Sequence, residues 1–322
     1  MSTSSITAPI AEDMLGVDAA IRKFLHSDVV LVRQVAEYIV SAGGKRMRPA
    51  LVLLAARACG YDGKDHLQLA AIVEFIHTAT LLHDDVVDES SLRRGRQTAN
   101  AAFGNAASVL VGDFLYSRAF QMMVGLGSMR IMEVLADATN TIAEGEVLQL
   151  MNCRNADISE DEYLQVIRFK TAKLFEAAGR LGAILAGADA ATEEGLAAYG
   201  MHLGTAFQLI DDVLDYSGQE AETGKHLGDD LAEGKPTLPL IHVMRNGTAE
   251  QSSRVRAAIE QGNGEDFLGV LHALRDSGAL DVAREQGRRE AEAAKRALAT
   301  LADSKFRQTL LEFADFAVRR SY

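Results

Sequence analysis

The stretch LQLAAIVEFIHTATLLHDDVVD, residues 67–88, places apolar side chains at helical spacing and ends in three carboxylates. It contains neither glycine nor proline, so nothing in it breaks a helix. The same character extends on both sides. Of the four prolines, Pro9 and Pro49 lie early and Pro236 and Pro239 late, and from Ala50 to Lys235 there is none. Proline removes a backbone donor and clashes with the preceding turn, so this long interval favours helix throughout. Helical periodicity is read at residues 30–40, 49–59, 67–87, 106–126, 131–151, 159–186, 193–216, 238–244 and beyond 251. Gly43-Gly44 marks a helix end and Pro49 a helix start. Loops are expected at 60–64, 89–98, 152–158, 188–192 and 217–235. The fold class is all-α. No linker or repeat divides the chain, so a single domain over residues 1–322 is expected, with 1–12 as a flexible N-terminus. Residues 106–123 and 205–214 are apolar nearly all round and belong inside a large bundle.

The chain has 322 residues, 48% of them hydrophobic, and a formal net charge of −12. Excess carboxylate disfavours nucleic acid or an anionic membrane as the main partner, because both need clustered cations. Two cysteines, Cys59 and Cys153, make no disulfide framework or zinc site; both read as small core residues in a reducing compartment. No secretory or transit signal and no apolar run long enough to span a bilayer is present, so the expected location is cytoplasmic. The charged residues 283–296 read as a solvated helix face.

Chemistry concentrates in two aspartate sets. In the first, His77, Asp84 and Asp88 share a face of one helix, because spacings of seven and four are nearly whole turns. A second set, Asp211, Asp212 and Asp215, begins 127 residues later, and Gln208, Asp211 and Asp215 again share a face. One such motif could be only a solvated acidic helix end. Two within apolar surroundings would be costly to bury without cations. Hard oxygen ligands suit Mg²⁺, with water and substrate phosphate completing its shell. Asp84, Asp88, Asp211 and Asp215 are therefore the leading ligands. Asp85 and Asp212, rotated about 100° away, either join them or position neighbouring cations and waters. Local cations supply the rest: the cluster GGKRMRP at 43–49, Arg93 and Arg94, Lys170 with Thr171, and Lys225 and Lys235.

The segments GGKRMRP, LLHDDVVDESSLRRG, FKTAKLFEAA, GTAFQLIDDVLDY and GDDLAEGKPTLP, in that order, resemble the trans-polyprenyl diphosphate synthase family from about Asp13 to the C-terminus. The resemblance implies a bundle around a deep central cavity, usually a homodimer. It assigns Lys45, Arg48, His77 and Arg94 to isopentenyl diphosphate. Arg93, Lys170, Thr171, Gln208, Lys225 and Lys235 would take the allylic diphosphate, and Asp84, Asp88, Asp211 and Asp215 would hold two or three Mg²⁺ ions. The catalytic set is these four aspartates with Lys170. Such enzymes set product length by cavity depth, and short-chain members place bulky aromatics just before the first motif. Here Ala79 and Thr80 are small, with Met123 as a candidate floor, so a C40 product is expected, within C35 to C50, for quinone side chains. Transient membrane contact at product release is part of that expectation. A class I terpene cyclase would not need the second aspartate set or the GGKRMRP cluster, and a non-catalytic regulatory subunit would be expected to have lost one set.

Overall fold

The computed structural model describes residues 6–93, 95–217 and 227–320, and these are almost entirely helical. In chain order the α-helices are α1 (Ala11–Phe24), α2 (Val30–Ser41), α3 (Met47–Ala58), α4 (Asp65–Val87), α5 (Ala99–Phe103), α6 (Asn105–Leu126), α7 (Met129–Asn152) and α8 (Glu160–Ile167). They continue as α9 (Lys173–Leu185), α10 (Ala190–Ser217), α11 (Asp229–Ala232), α12 (Leu238–Asn246), α13 (Ala249–Gln261), α14 (Phe267–Asp276), α15 (Ala279–Ala297) and α16 (Lys305–Arg319). Their contacts group them into two compact units, Met1–Thr139, Leu174–Gly200 and Lys295–Phe313 in one, Asn140–Lys173, Met201–Ala294 and Ala314–Tyr322 in the other. Among the described residues no helix is long and apolar enough to cross a membrane.

In the first unit α4 is the central element. Leu69 to Ile76, Ala79 and Leu82 bury its length against Leu51 to Ala56 of α3 and Val111, Leu115, Ala119 and Met122 of α6. Polar groups lock the register of α4 and α6: the Ser108 hydroxyl donates to the Leu82 carbonyl at 2.9 Å and the Gln68 amide to that of Met122 at 2.9 Å. Gly112 leaves room for the His83 ring, where a Cβ would collide. Gly179 and Gly200 similarly let α9 and the N-terminal half of α10 approach backbone to backbone. Residues 6–12 carry a turn and the start of α1, with Ile6 and Ile10 buried. The α3 helix begins at Met47, two residues before the proline that signals it. Residues 106–123 are not enclosed: Val109, Leu110, Asp113, Ser117 and Gln121 form an exposed face on α6, with Leu110 66% accessible.

The second unit packs Leu209, Val213 and Tyr216 of α10 with Tyr163, Leu164 and Ile167 of α8 and the apolar faces of α12 to α14. Capping boxes fix two helix starts: Ser159 with Glu162 at α8 and Thr248 with Gln251 at α13. The expected loop 217–235 contains α11, and the expected loop 89–98 contains a two-stranded hairpin, β1 (Leu92–Arg93) with β2 (Arg96–Gln97). The helix read across 159–186 is interrupted at Arg168–Ala172 by a π-turn. On α15 the charged residues are solvated as read, with Arg288 and Arg289 exposed beside Glu285, except that Glu290 is buried against His202 at 2.6 Å. Neither cysteine is in a disulfide, and both are half-buried rather than fully in the core; burial pushes the Cys59 thiol up to about 11.

A part-buried charge pairing links α1 to the core. Arg57 holds Asp13 through two hydrogen bonds of 2.9 and 2.8 Å, and His66 lies 3.1 Å from the same carboxylate without hydrogen-bond alignment. Burial lowers the His66 pKa, and Arg57 lowers that of Asp13. A histidine whose folded pKa is depressed binds more protons when unfolded, so its contribution is complete above its unfolded value and declines as pH falls below it. Asp13 acts in the same direction at lower pH. Stability measured by urea titration should therefore fall between pH 7 and pH 5, and His66→Gln should flatten that slope. Equal slopes for the two proteins would contradict this origin.

Candidate active site

The basic segment before α3 is built by backbone that few residues tolerate. Gly43 and Gly44 have positive φ, and Arg46 itself is left-handed at φ 48°. That bend is held because the Arg46 guanidinium donates to the nearly buried Glu74 carboxylate of α4 at 2.7 Å. Arg46 is thus structural. Arg48 points elsewhere: its Nη1 lies 3.1 Å from His77 Nε2, and its guanidinium stacks 4.4 Å from the centre of the Phe175 ring. Arg48 and His77, chosen from sequence for one diphosphate, are therefore neighbours, with Lys45 part-exposed in the same segment. Phe175 had no sequence signal beyond its place in the FKTAKLF segment.

The first aspartate set divides. Asp84 and Asp88 are part-exposed, one turn apart at the end of α4. Asp85 is fully buried, and Arg93 from the hairpin binds its Oδ1 through two nitrogens at 2.7 Å each. The Asp85 carbonyl accepts from Ser90 N and from Asn100 Nδ2 at 3.0 Å, closing the loop back onto the helix. The Asp85 side chain is thus taken up by Arg93 inside the fold, whereas Asp84 and Asp88 stay part-exposed. Arg94 lies outside the described residues. Ala79 is fully buried, Thr80 is part-exposed with its hydroxyl on the His77 carbonyl at 2.8 Å, and Met123 is buried on α6.

The second set repeats the division with different partners. Asp212 is 2% exposed and accepts from the Tyr163 hydroxyl at 2.5 Å and from Gln208 Nε2 at 2.8 Å. Burial, reinforced by the charge of Asp230, pushes its pKa up to about 8. Gln208 in turn accepts from the Thr171 hydroxyl at 3.0 Å, so Thr171, Gln208 and Asp212 form one chain of hydrogen bonds. Asp211 is partly exposed and receives the Arg320 guanidinium at 2.5 Å. Arg320 is itself buried, stacked 3.7 Å over Phe207 and bonded to the Phe207 and Ala317 carbonyls. Asp215, at the end of α10, accepts the Gly228 amide on its carbonyl at 2.9 Å and a long 3.4 Å contact from the Asp230 amide on its carboxylate. Lys170 pairs with Glu146 at 2.6 Å, and Lys235 with Glu233. Lys225 lies outside the described residues.

Tyr163, Arg320, Glu146 and Asp230 were not found from sequence. Arg320 is 109 residues from Asp211, and no spacing rule reaches that far. Tyr163 had a weak signal, as a polar tip on the apolar face of α8. Among the described residues no three acidic, histidine or cysteine groups already converge on one cation position. Part-exposed hard oxygens still fit a hard divalent cation that takes its remaining ligands from water and phosphate.

Helices bearing paired aspartate triads, each with its middle member sealed in the core, define a diphosphate-handling enzyme of the all-α isoprenoid synthase class. The chain belongs to the polyprenyl synthetase family, whose model matches residues 29–270, a family that elongates prenyl chains with isopentenyl diphosphate. It is 57% identical to the octaprenyl diphosphate synthase of Escherichia coli (strain K12) over 99% of each chain. It is 48% identical to the all-trans-nonaprenyl-diphosphate synthase (geranyl-diphosphate specific) of Rhodobacter capsulatus, over 98% of this chain and 97% of that one. Among solved structures, the polyprenyl synthase of Caulobacter crescentus complexed with calcium and isoprenyl diphosphate superposes with a TM-score of 0.96 at 46% identity, covering 100% of this chain and 98% of that one.

The Arg93–Asp85 pair gives a direct check on this division. Arg93→Gln leaves a fully buried carboxylate without its cation and should lower stability by about 3 kcal/mol in urea unfolding. Adding Asp85→Asn to the same chain should recover part of that loss. A single substitution of no consequence would show that the pair does not hold the loop.

Proposed function

We propose that the protein is a magnesium-dependent prenyltransferase that adds successive isopentenyl diphosphate units to an allylic primer, farnesyl diphosphate, and releases an octaprenyl (C40) diphosphate for quinone side chains. The observation that carries the site assignment is the division repeated in both aspartate sets, a sealed inner member between part-exposed outer ones. Asp84, Asp88, Asp211 and Asp215 are the groups assigned to two or three Mg²⁺ ions. Bound there, the metal would neutralise charge on the departing diphosphate.

The protein's own residues do the remaining work by holding two diphosphates apart in role. Lys170, Thr171 and Gln208, with Arg93, Lys225 and Lys235, bind the allylic diphosphate, whose C1 becomes a delocalised cation when the C–O bond breaks. Lys45, Arg48, His77 and Arg94 bind isopentenyl diphosphate, which is homoallylic and does not ionise. Its double bond attacks C1, and the proton lost from the new cation goes to the released diphosphate. Ala79 and Thr80 leave depth for a growing tail, and Met123 limits it. The 57% identity to an octaprenyl synthase favours C40, although the 48% relative is named for a C45 product.

The exposed apolar residues of α6, Leu110 and Val124 among them, support a homodimer in which a second copy covers that face. Two cysteines that form no disulfide, Cys59 and Cys153, support a reducing, cytoplasmic location. The long apolar product implies transient membrane contact when it leaves.

Sizing the products made from farnesyl diphosphate, isopentenyl diphosphate and Mg²⁺ tests the proposal. A C40 product is expected, and one no longer than C20 would overturn the long-chain reading. Asp84→Ala and Asp211→Ala should each lower turnover by about 10²-fold or more with the helical content unchanged. Near-normal turnover in either would remove that residue from the site.

A further inference from the structure

Between α8 and α9 the chain is wound as a π-turn at Arg168–Ala172, one residue looser than the helices it joins. Such turns are rare, have poorer hydrogen-bond geometry and shift the faces of the two flanking helices relative to each other. This one carries Lys170 and Thr171. What rests against it is α7. A Cβ added at Gly145 would stand 2.5 Å from the Lys170 nitrogen and 2.9 Å from both the Lys170 Cα and the Phe169 carbonyl carbon. Those are backbone atoms, which cannot swing aside as a side-chain tip can. Glycine inside a helix is less favourable than alanine, so its place in the interior of a 24-residue helix answers a packing demand.

The next residue acts on the side chain of the same turn. Glu146 Oε2 lies 2.6 Å from Lys170 Nζ, with both side chains largely covered. An ammonium has three donors, so this pair leaves Lys170 able to serve a second acceptor. Thr171 is fixed on its other side by Gln208, which is tied to buried Asp212. The turn is thus held at its backbone by α7, at the Lys170 ammonium by Glu146 and at the Thr171 hydroxyl by Gln208.

We infer that Gly145 and Glu146 are positioning residues for the allylic diphosphate: Gly145 sets how deeply the π-turn backbone seats against α7, and Glu146 sets where the Lys170 ammonium points. Neither touches substrate. The inference rests on the assignment of Lys170 and Thr171 to that diphosphate.

The test compares steady-state kinetics of the full-length wild type, Gly145→Ala, Glu146→Gln and Lys170→Ala with farnesyl and isopentenyl diphosphates and Mg²⁺. The KM for farnesyl diphosphate should rise about tenfold in Gly145→Ala and severalfold in Glu146→Gln, because displacements near 1 Å at a binding group are costly. The KM for isopentenyl diphosphate should stay within about twofold, a split that general loosening of the fold would not produce. Thermal unfolding of Glu146→Gln should remain close to wild type. An unchanged farnesyl KM in Glu146→Gln overturns the role of Glu146, and if Gly145→Ala does not fold, that variant alone decides the inference. Equal rises in both KM values overturn it too. A wild type that condenses while Lys170→Ala keeps its farnesyl KM refutes the underlying assignment instead, and a wild type that condenses nothing refutes the function.

Discussion

A carboxylate placed inside an apolar helical core has to be given a partner, and this protein meets that requirement twice, by different means. Asp85 is neutralised by the Arg93 guanidinium, which a short hairpin folds back over the end of α4. Asp212 is satisfied by a phenol and an amide, and burial together with the charge of Asp230 raises its pKa. An unpaired charge in either position would cost several kcal/mol, a large fraction of the net stability of a domain. The hairpin, the packing of α8 against α10 and the return of the chain at 227–235 all serve these two demands.

Anchoring the middle residue of a triad fixes its neighbours. With Asp85 sealed, the helix leaves Asp84 about 100° and Asp88 about 60° away from it, on a face that stays part-exposed. The same holds for Asp211 and Asp215 around Asp212. A site that must meet a highly charged diphosphate gains from groups that are set before substrate arrives, because no reorganisation is then needed during reaction. Arg320 extends this logic to the end of the chain, bringing the last residue of the described structure onto Asp211 and onto the backbone one turn before it. Buried Glu74 and Glu176 do comparable service for Arg46 and Arg180, at 2.7 Å each.

Much of this was legible in the sequence. A long proline-free interval with helical periodicity is enough to establish the fold class, and two aspartate triads with ordered basic segments point to the family. The rotation of Asp85 and Asp212 away from the outer aspartates matches their burial, which the outer four do not share. The partners were not legible. Hydrogen bonds such as Arg320 to Asp211 join residues 109 apart, and two-residue strands such as Leu92–Arg93 are too short to show a period. A π-turn leaves no mark on an apolar pattern that continues through it. The exposed face of α6 reads as core because apolar composition alone does not say which molecule covers it.

The division of labour within the triads is the claim on which the account depends. It is tested most directly by titrating Mn²⁺ into the protein with a non-ionising allylic diphosphate analogue, following the bound ion by electron paramagnetic resonance, in Asp84→Ala, Asp215→Ala, Asp85→Ala and Asp212→Ala. The account predicts that the two outer substitutions lower cation affinity while unfolding stability stays near wild type, and that the two inner ones lower stability first. Inner variants of wild-type stability that bind no cation would contradict it.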